Sequence, residues 1–216
     1  MQNLKQKTLH GLFWSFVDSF GIYFITFGFS VAIARALMPK DYGLVGMIAI
    51  FIAISQMLID SGFLSALVQK KDTDNTDYST IFWFNVGLAV VLYILLFAFA
   101  GTIARFFGQP ILVKITRISS LGIILSSLCV VQVSMILKNF QFKRQAAINF
   151  ISALTSGTVG VFLAYNGYGV WALVFMTLAG GTVRVVLFWI INKWRPKFIF
   201  NFRSFKSLYN FGYKPF

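Results

Sequence analysis

The chain has 216 residues, of which 58% are hydrophobic and only 12% are charged, and its formal net charge is +13. A soluble domain of this size carries about 25% charged residues, and its core cannot hide so much apolar surface. The composition therefore excludes a water-soluble globular domain and a disordered chain, and it favours a protein whose solvent is lipid.

Six apolar runs are long enough to cross a bilayer, because about 20 residues of helix span about 30 Å of hydrocarbon. Strands of a membrane barrel would be about half as long and would alternate in polarity, so the runs predict helices. The first run also resembles a secretory signal peptide, but its length and Asp18 favour a retained span. We predict an all-α, polytopic transmembrane helix bundle with spans at residues 11–34, 44–68, 81–104, 118–137, 146–165 and 168–192.

The distribution of positive charge predicts the orientation of these spans. Most of the 19 Lys and Arg residues lie before the first run, in segments 69–79 and 138–145, and after residue 192. Because cytoplasmic segments carry the excess of positive charge, we expect both the N-terminus and the segment after the last span to be cytoplasmic. The opposite segments hold Arg35, Lys40, Arg105, Lys114 and Arg117.

The segment after the last span, residues 193–216, is predicted to be a cytoplasmic linker. Phe202, Phe205 and Tyr209 recur at spacings of three and four with basic residues between them, which indicates a short amphipathic helix on the membrane surface. An ordinary loop with a few aromatic residues is the alternative. The chain stops without a polar tail, as expected of a fragment cut where another span would start.

Ionisable and amide side chains inside the spans are the candidate functional residues, because such groups are expensive in hydrocarbon and persist when they are paired or functional. By helix counting they all lie in the cytoplasmic half of the bilayer. We expect a water-accessible cavity in which Arg184 contacts an anionic head group. Asp18 or Asp60 would balance the charge of Arg184 or bind a coupling cation. The alternatives are that Arg184 snorkels to the lipid head groups and that Asp60 lies at a helix end in contact with water. The candidates are Asp18, Asp60, Asn85, Gln132, Asn149 and Arg184.

Two further groups of side chains can each be interpreted as structural or as functional. Arg105, Lys114 and Arg117 flank the fourth span as an outer basic group, which either snorkels to head groups or contacts a phosphate-bearing substrate at an exit. Small residues recur at spacing four in the fifth span and predict close helix packing rather than binding. This ridge consists of Ser152, Ser156, Gly160 and Ala164.

Catalytic and metal chemistry find little support in the sequence. Cys129 is the only cysteine and His10 the only histidine, which excludes an intrachain disulfide, thiolate clusters and His-rich zinc sites. The phosphate-binding G-x-x-x-x-G-K-[ST] loop and the nucleophile elbow are absent. We therefore predict no enzyme, no cofactor and no nucleic-acid partner, since the basic residues follow the membrane pattern.

A series of short motifs resembles those of bacterial polysaccharide exporters. Residues 34–43 read ARALMPKDYG and resemble the exporters' A-R-x-L-x-P-x-[DE]-[FY]-G segment. DSGF at 60–63 with SALVQKK at 65–71, FWFN at 82–85, ARFF at 104–107, FQFKR at 140–144 and GVWAL at 169–173 follow in the expected order. Over nearly its whole length the chain resembles the Wzx-like lipopolysaccharide and exopolysaccharide flippases of the multidrug/oligosaccharidyl-lipid/polysaccharide exporter superfamily.

The resemblance implies two six-helix bundles around a central cavity, of which this chain covers the first bundle and the linker. It implies alternating access that moves undecaprenyl-pyrophosphate-linked oligosaccharide across a bacterial inner membrane, with a coupling cation and glycan assembly proteins as further partners. Two alternatives stay open: a small-molecule or drug exporter of the same superfamily and a non-transporting membrane subunit. A membrane-embedded glycan-modifying enzyme would need converging acid–base residues, which the sequence does not offer.

Overall fold

A computed structural model describes residues 21–59, 63–69, 73–202 and 204–206, and within these ranges the chain is helical and contains no strand. The predicted all-α, polytopic helix bundle is confirmed. The helices are α1 (Gly21–Ala36), α2 (Pro39–Ile59), α3 (Phe63–Gln69), α4 (Asn75–Phe106), α5 (Leu112–Ser119), α6 (Leu121–Ser127), α7 (Val130–Lys138), α8 (Phe142–Tyr165) and α9 (Val170–Ile191).

Five segments of the described chain are long and apolar enough to span a membrane: α2, α4, the combined α5–α7 segment, α8 and α9. They match five of the six predicted runs. The remaining run, 11–34, is described from Gly21 onward, where α1 is apolar but shorter than a full span. The first ten residues of that run lie outside the described residues.

The start of α4 differs from the prediction because a polar segment caps the helix. Segment 69–79 reads as a polar break in the sequence, yet α4 begins within it at Asn75. The Asp74 carboxylate accepts the Asp77 N–H at 2.7 Å, and the Asp77 carboxylate accepts the Asp74 N–H at 3.3 Å. This reciprocal capping box satisfies two of the free donors at a helix N-terminus and extends α4 toward the water.

The second predicted run, 44–68, is divided in the structure. α2 begins earlier, at Pro39, and ends at Ile59, while residues 63–69 form the separate short helix α3. Pro39 suits a first helical position because the missing N–H has no intrahelical partner there.

The fourth span is interrupted at two places by serine side chains. α5, α6 and α7 follow one another between Leu112 and Lys138, with interruptions at Ser120 and at residues 128–129. The hydroxyls of Ser120 and Ser127 donate to carbonyls three residues earlier, at 3.1 and 2.8 Å. Such bonds compete with the helical ladder and bend the helix. The helical ladder of this span is therefore interrupted twice between Leu112 and Lys138.

The helices alternate in direction, so the bundle has two ends. The end where α2 and α9 begin and α4 ends is called the Pro39 end, and a buried cluster of Ile48, Ala104, Leu112 and Val170 lies toward it. The end where α4 begins and α9 finishes is called the Asn75 end. Arg105 and Lys114 thus lie at the opposite end from Lys138, as the predicted alternation of segments requires.

α8 and α9 form an intimate helix pair through small residues, which confirms the packing role of the small-residue ridge. A Cβ added at Gly180 of α9 would lie 2.9 Å from the Ser156 Cβ of α8. The Ser156 hydroxyl donates to the Met176 carbonyl at 2.9 Å. A Cβ added at Gly160 would meet Met176 and Ile33, so the same ridge also receives α1. Small side chains let these backbones approach closely.

Two of the motifs that carry the resemblance meet at the Pro39 end. The Asp41 carboxylate is buried and accepts the Met38 N–H at 3.1 Å, which caps the start of α2. Its Oδ1 would lie 3.3 Å from a Cβ added at Gly169, the N-cap residue of α9. One carboxylate therefore lies at the positive ends of two helix dipoles and holds the start of α2 against the turn before α9.

Candidate functional site

A cavity of about 790 Å³ lies between α2, the interrupted α5–α7 span and α9, with one α3 residue at its edge. It exists because small side chains face one another across these helices: Ala49 and Ala53 on α2, Gly122 on α6 and Gly181 on α9. Most of the wall is apolar. The polar groups on the wall are Gln56, Ser119, Ser126, Thr177 and Arg184.

Arg184 is the one charged residue among the described residues that line this cavity. It lies seven residues before the end of α9, about 10 Å along the helix axis from the Asn75 end. Its guanidinium lies 5.7 Å from the ring centroid of Phe188, which occupies the next turn. A ring face attracts a cation without neutralising it, so the positive charge stays available to a ligand in the cavity.

Asn85 and Gln132 lie away from this wall. Both side chains have no exposed surface, and the amide nitrogen and oxygen of each have no hydrogen-bond partner. Asn85 follows Ile81 and precedes Ala89 on the buried face of α4, while Gln132 lies on α7 beside Val131. These amides are thus buried between helices, and their predicted contact with substrate stays a prediction.

The other candidates are placed less closely to the cavity or fall outside the described residues. Asn149 is half-buried on α8, which contributes no residue to the wall. Asp18 and Asp60 lie outside the described residues, so the acid or coupling-cation role predicted for them stays a prediction. Of the six candidates, the structure brings Arg184 alone to the cavity wall among those it describes.

Several residues of the cavity wall were not among the candidates predicted from the sequence. Gln56 is a polar side chain within an apolar run and follows the same rule that selected the other candidates. Cys129 also lines the cavity, at the second interruption of the α5–α7 span. Nothing in its sequence context indicates this position, because the direction that it faces depends on how the span bends.

The outer basic group lies at the Pro39 end and does not line the cavity. The Arg117 guanidinium lies 4.1 Å from the ring centroid of Phe97, and its Nε donates to the Phe97 carbonyl at 3.4 Å. Arg105 and Lys114 are exposed. The contacts of Arg117 on α5 with Phe97 on the neighbouring helix α4 fit a cation at the membrane boundary, and a substrate contact stays a prediction for all three residues.

A sequence profile described as polysaccharide biosynthesis protein matches residues 32–216, which is most of the chain. The chain belongs to this polysaccharide biosynthesis protein family. The family membership predicted from the motifs is thus confirmed, and the helices that can span a membrane together with the bacterial relatives make the chain part of a bacterial membrane protein.

Three relatives in this family are similar along nearly the whole chain. The succinoglycan biosynthesis transport protein ExoT of Rhizobium meliloti is 26% identical over 93% of this chain and 40% of its own length. The teichuronic acid biosynthesis protein TuaB of Bacillus subtilis is 25% identical over 98% of this chain and 44% of its own. The lipopolysaccharide biosynthesis protein WzxC of Escherichia coli is 24% identical over 97% and 43%.

The chain spans less than half the length of these curated relatives. No solved structure matches the chain.

The native Cys129 provides a reporter for the charge of Arg184, since both side chains share the cavity wall. We expect an anionic methanethiosulfonate reagent to modify Cys129 at least about threefold faster than a cationic one, after each rate is divided by its rate with a free thiol. Arg184→Gln should remove this preference. Cys129 is the only cysteine, so the labelling needs no engineered background.

The ratio of the two rates isolates the electrostatic effect, because both reagents attack the same thiolate and any change in its population cancels. Arg144→Gln is the matched control, since Arg144 is an exposed cation that does not line the cavity. An unchanged ratio in Arg184→Gln would show that the guanidinium charge does not reach the cavity.

Proposed function

We propose that this chain forms part of a transporter that moves lipid-linked oligosaccharide across the bacterial inner membrane for surface polysaccharide synthesis. The observation that carries the proposal is a membrane cavity in which the described wall residues include one cation and no other charge, in a member of a polysaccharide biosynthesis family. A glycan that is carried on a lipid pyrophosphate offers phosphate oxygens, which a guanidinium binds with bidentate hydrogen bonds.

The physical problem that such a transporter solves is desolvation. Sugar hydroxyls and phosphates lose their water in hydrocarbon and cost several kcal/mol for each unpaired group. Gln56, Ser119, Ser126 and Thr177 supply hydrogen-bonding groups along the wall, and Arg184 supplies the counter-charge. The apolar remainder of the wall suits the isoprenoid chain next to the head group.

The direction of transport follows from the predicted orientation. With the Asn75 end in the cytoplasm, Arg184 lies about two turns from the inner surface and receives the head group there. Alternating access then requires this bundle to move against a second set of helices, as in other repeat-built transporters. The relatives are more than twice as long as the aligned part, which leaves room for such a second set.

The test is deletion of the gene that encodes the intact protein, followed by measurement of surface polysaccharide and of lipid-linked oligosaccharide in each leaflet. We expect surface polysaccharide to disappear and the lipid-linked precursor to accumulate on the cytoplasmic side. Complete surface polysaccharide together with drug hypersensitivity would favour the small-molecule exporter. Complete polysaccharide without any transport defect would favour the non-transporting subunit.

A further inference from the structure

The segment that follows α9 packs against the bundle through specific hydrogen bonds. We call residues 192–202 the strap; residues 192–201 are neither helix nor strand, bend at Phe198 and run across the first turns of α4. The hydroxyl of Ser79 accepts the Lys197 N–H at 3.1 Å, and the hydroxyl of Thr80 accepts the Asn201 N–H at 3.1 Å. The Trp83 indole donates to the Lys197 carbonyl at 2.9 Å. Side chains of α4 thus replace the backbone partners that a segment outside helices and sheets lacks.

An aromatic cluster places the strap at the edge of the membrane. Trp194 donates its indole N–H to the Asn75 side chain at 3.0 Å, and Trp189 donates to the Leu128 carbonyl at 3.2 Å. Phe82 lies edge-on to both rings. Tryptophans with a bonded N–H and an apolar body concentrate at membrane–water interfaces. α4 also changes here from a polar first turn to a long apolar face.

The outward side of the strap combines large apolar side chains with cations. Phe198 stacks on Trp83 at a centroid distance of 4.8 Å, and yet 90% of its surface is exposed. Ile199, Phe200 and Phe202 are exposed as well. Lys193, Lys197 and Lys206 are exposed in the same part of the chain, and no acidic residue occurs between positions 192 and 206.

We propose that the strap is a binding surface for anionic phospholipid. Its aromatic side chains lie among the upper acyl chains, and its lysines contact the phosphates of head groups such as phosphatidylglycerol. Charge complementarity selects an anionic leaflet, since the strap has several cations and no acid. This surface lies at the end of the bundle rather than in the cavity, and the proposal needs only that the protein spans a bilayer, not that it transports a glycan.

The cations of the strap have unequal roles, which guides the choice of variants. Arg195 donates to the carbonyls of Trp189, Asn192 and Trp194 and lies over the Trp189 ring, so it caps the end of α9. Substitution of Arg195 would disturb the fold. Lys193 and Lys197 of the strap and the nearby Lys206 are exposed, and they can be changed to Gln with the backbone contacts of the strap left in place.

The experiment compares lipid retention by two triple variants of the full chain, purified from membranes that contain phosphatidylglycerol and phosphatidylcholine. The strap variant is Lys193→Gln, Lys197→Gln, Lys206→Gln. The control variant, Arg35→Gln, Lys40→Gln, Arg144→Gln, removes the same charge from exposed positions outside the strap. We expect the wild type and the control to retain an excess of phosphatidylglycerol, and the strap variant to lose at least half of that excess.

A second measurement on the wild-type protein covers the case in which a triple variant fails to fold. Brominated phosphatidylglycerol should quench tryptophan fluorescence more than brominated phosphatidylcholine, because Trp83 lies directly under Phe198. High salt should reduce the difference, since it screens exposed charges. Equal losses in both triple variants, equal quenching by both lipids, or full displacement by soluble glycerol phosphate would overturn the proposal.

Discussion

If the proposed transport function holds, Arg184→Gln in the intact protein is expected to lower the export of surface polysaccharide at least about tenfold, which corresponds to about 1.4 kcal/mol of lost interaction with the anionic group. The variant leaves a pyrophosphate in a largely apolar cavity without a counter-charge, and an unpaired charge in low dielectric is costly. Arg184→Lys keeps the charge but loses the planar fork, so we expect partial export. Surface polysaccharide is measured at matched protein levels.

The control for this prediction is Arg144→Gln, which removes a cation from the start of α8, a helix that does not line the cavity. It should export at the wild-type level. Normal export by Arg184→Gln at normal expression would remove Arg184 from the mechanism and would leave the snorkelling alternative.

Gly169→Val should lower the free energy of unfolding by about 2–4 kcal/mol, through backbone strain and through crowding of a buried carboxylate. Gly169 has φ 54° and ψ −132°, which L-residues rarely adopt, and Asp41 Oδ1 would lie 3.3 Å from the new Cβ. Thermal or denaturant unfolding in detergent measures the loss. The side chain would push the start of α2 away from the turn before α9.

Gly167→Val separates the two causes. Gly167 also has a positive φ, 79°, but a Cβ there would meet no atom within 4 Å. It should therefore cost strain alone, at about 1–3 kcal/mol, and less than Gly169→Val. Equal costs at both positions would contradict a clamp between Asp41 and Gly169.

Hydropathy alone predicted where most of the spans lie, because an uncharged run of about 20 residues has few other solutions in a bilayer. The ends of the helices needed more than hydropathy. α4 starts before its apolar run because Asp74 and Asp77 form a capping box. Two aspartates in a polar segment are equally typical of a turn, so composition alone does not predict this helix start. The interruptions in the fourth span arise from hydroxyls of Ser120 and Ser127, whose effect depends on which carbonyl they reach.

The candidate site was predicted only in part. Counting residues along a span gives the depth of a side chain in the membrane, but it does not give the side of the helix on which that side chain lies. Arg184 faces the cavity, whereas Asn85 and Gln132 at similar predicted depths are buried between helices. The meeting of Asp41 with Gly169 joins positions far apart in the sequence, and local patterns do not encode such pairs. The strap also escaped prediction, because its partners Ser79 and Thr80 belong to another helix.

The length of α4 has a consequence for the membrane in which the protein resides. The helix has 32 residues and is about 48 Å long, and its apolar stretch, residues 81–104, measures about 36 Å against about 30 Å of hydrocarbon. Such a mismatch requires the helix to lean by roughly 30° or the surrounding lipid to thicken. The strap ties the first turns of α4 to the end of α9, the helix that carries Arg184. A change in bilayer thickness that alters the tilt of α4 is therefore expected to shift the position of α9 as well.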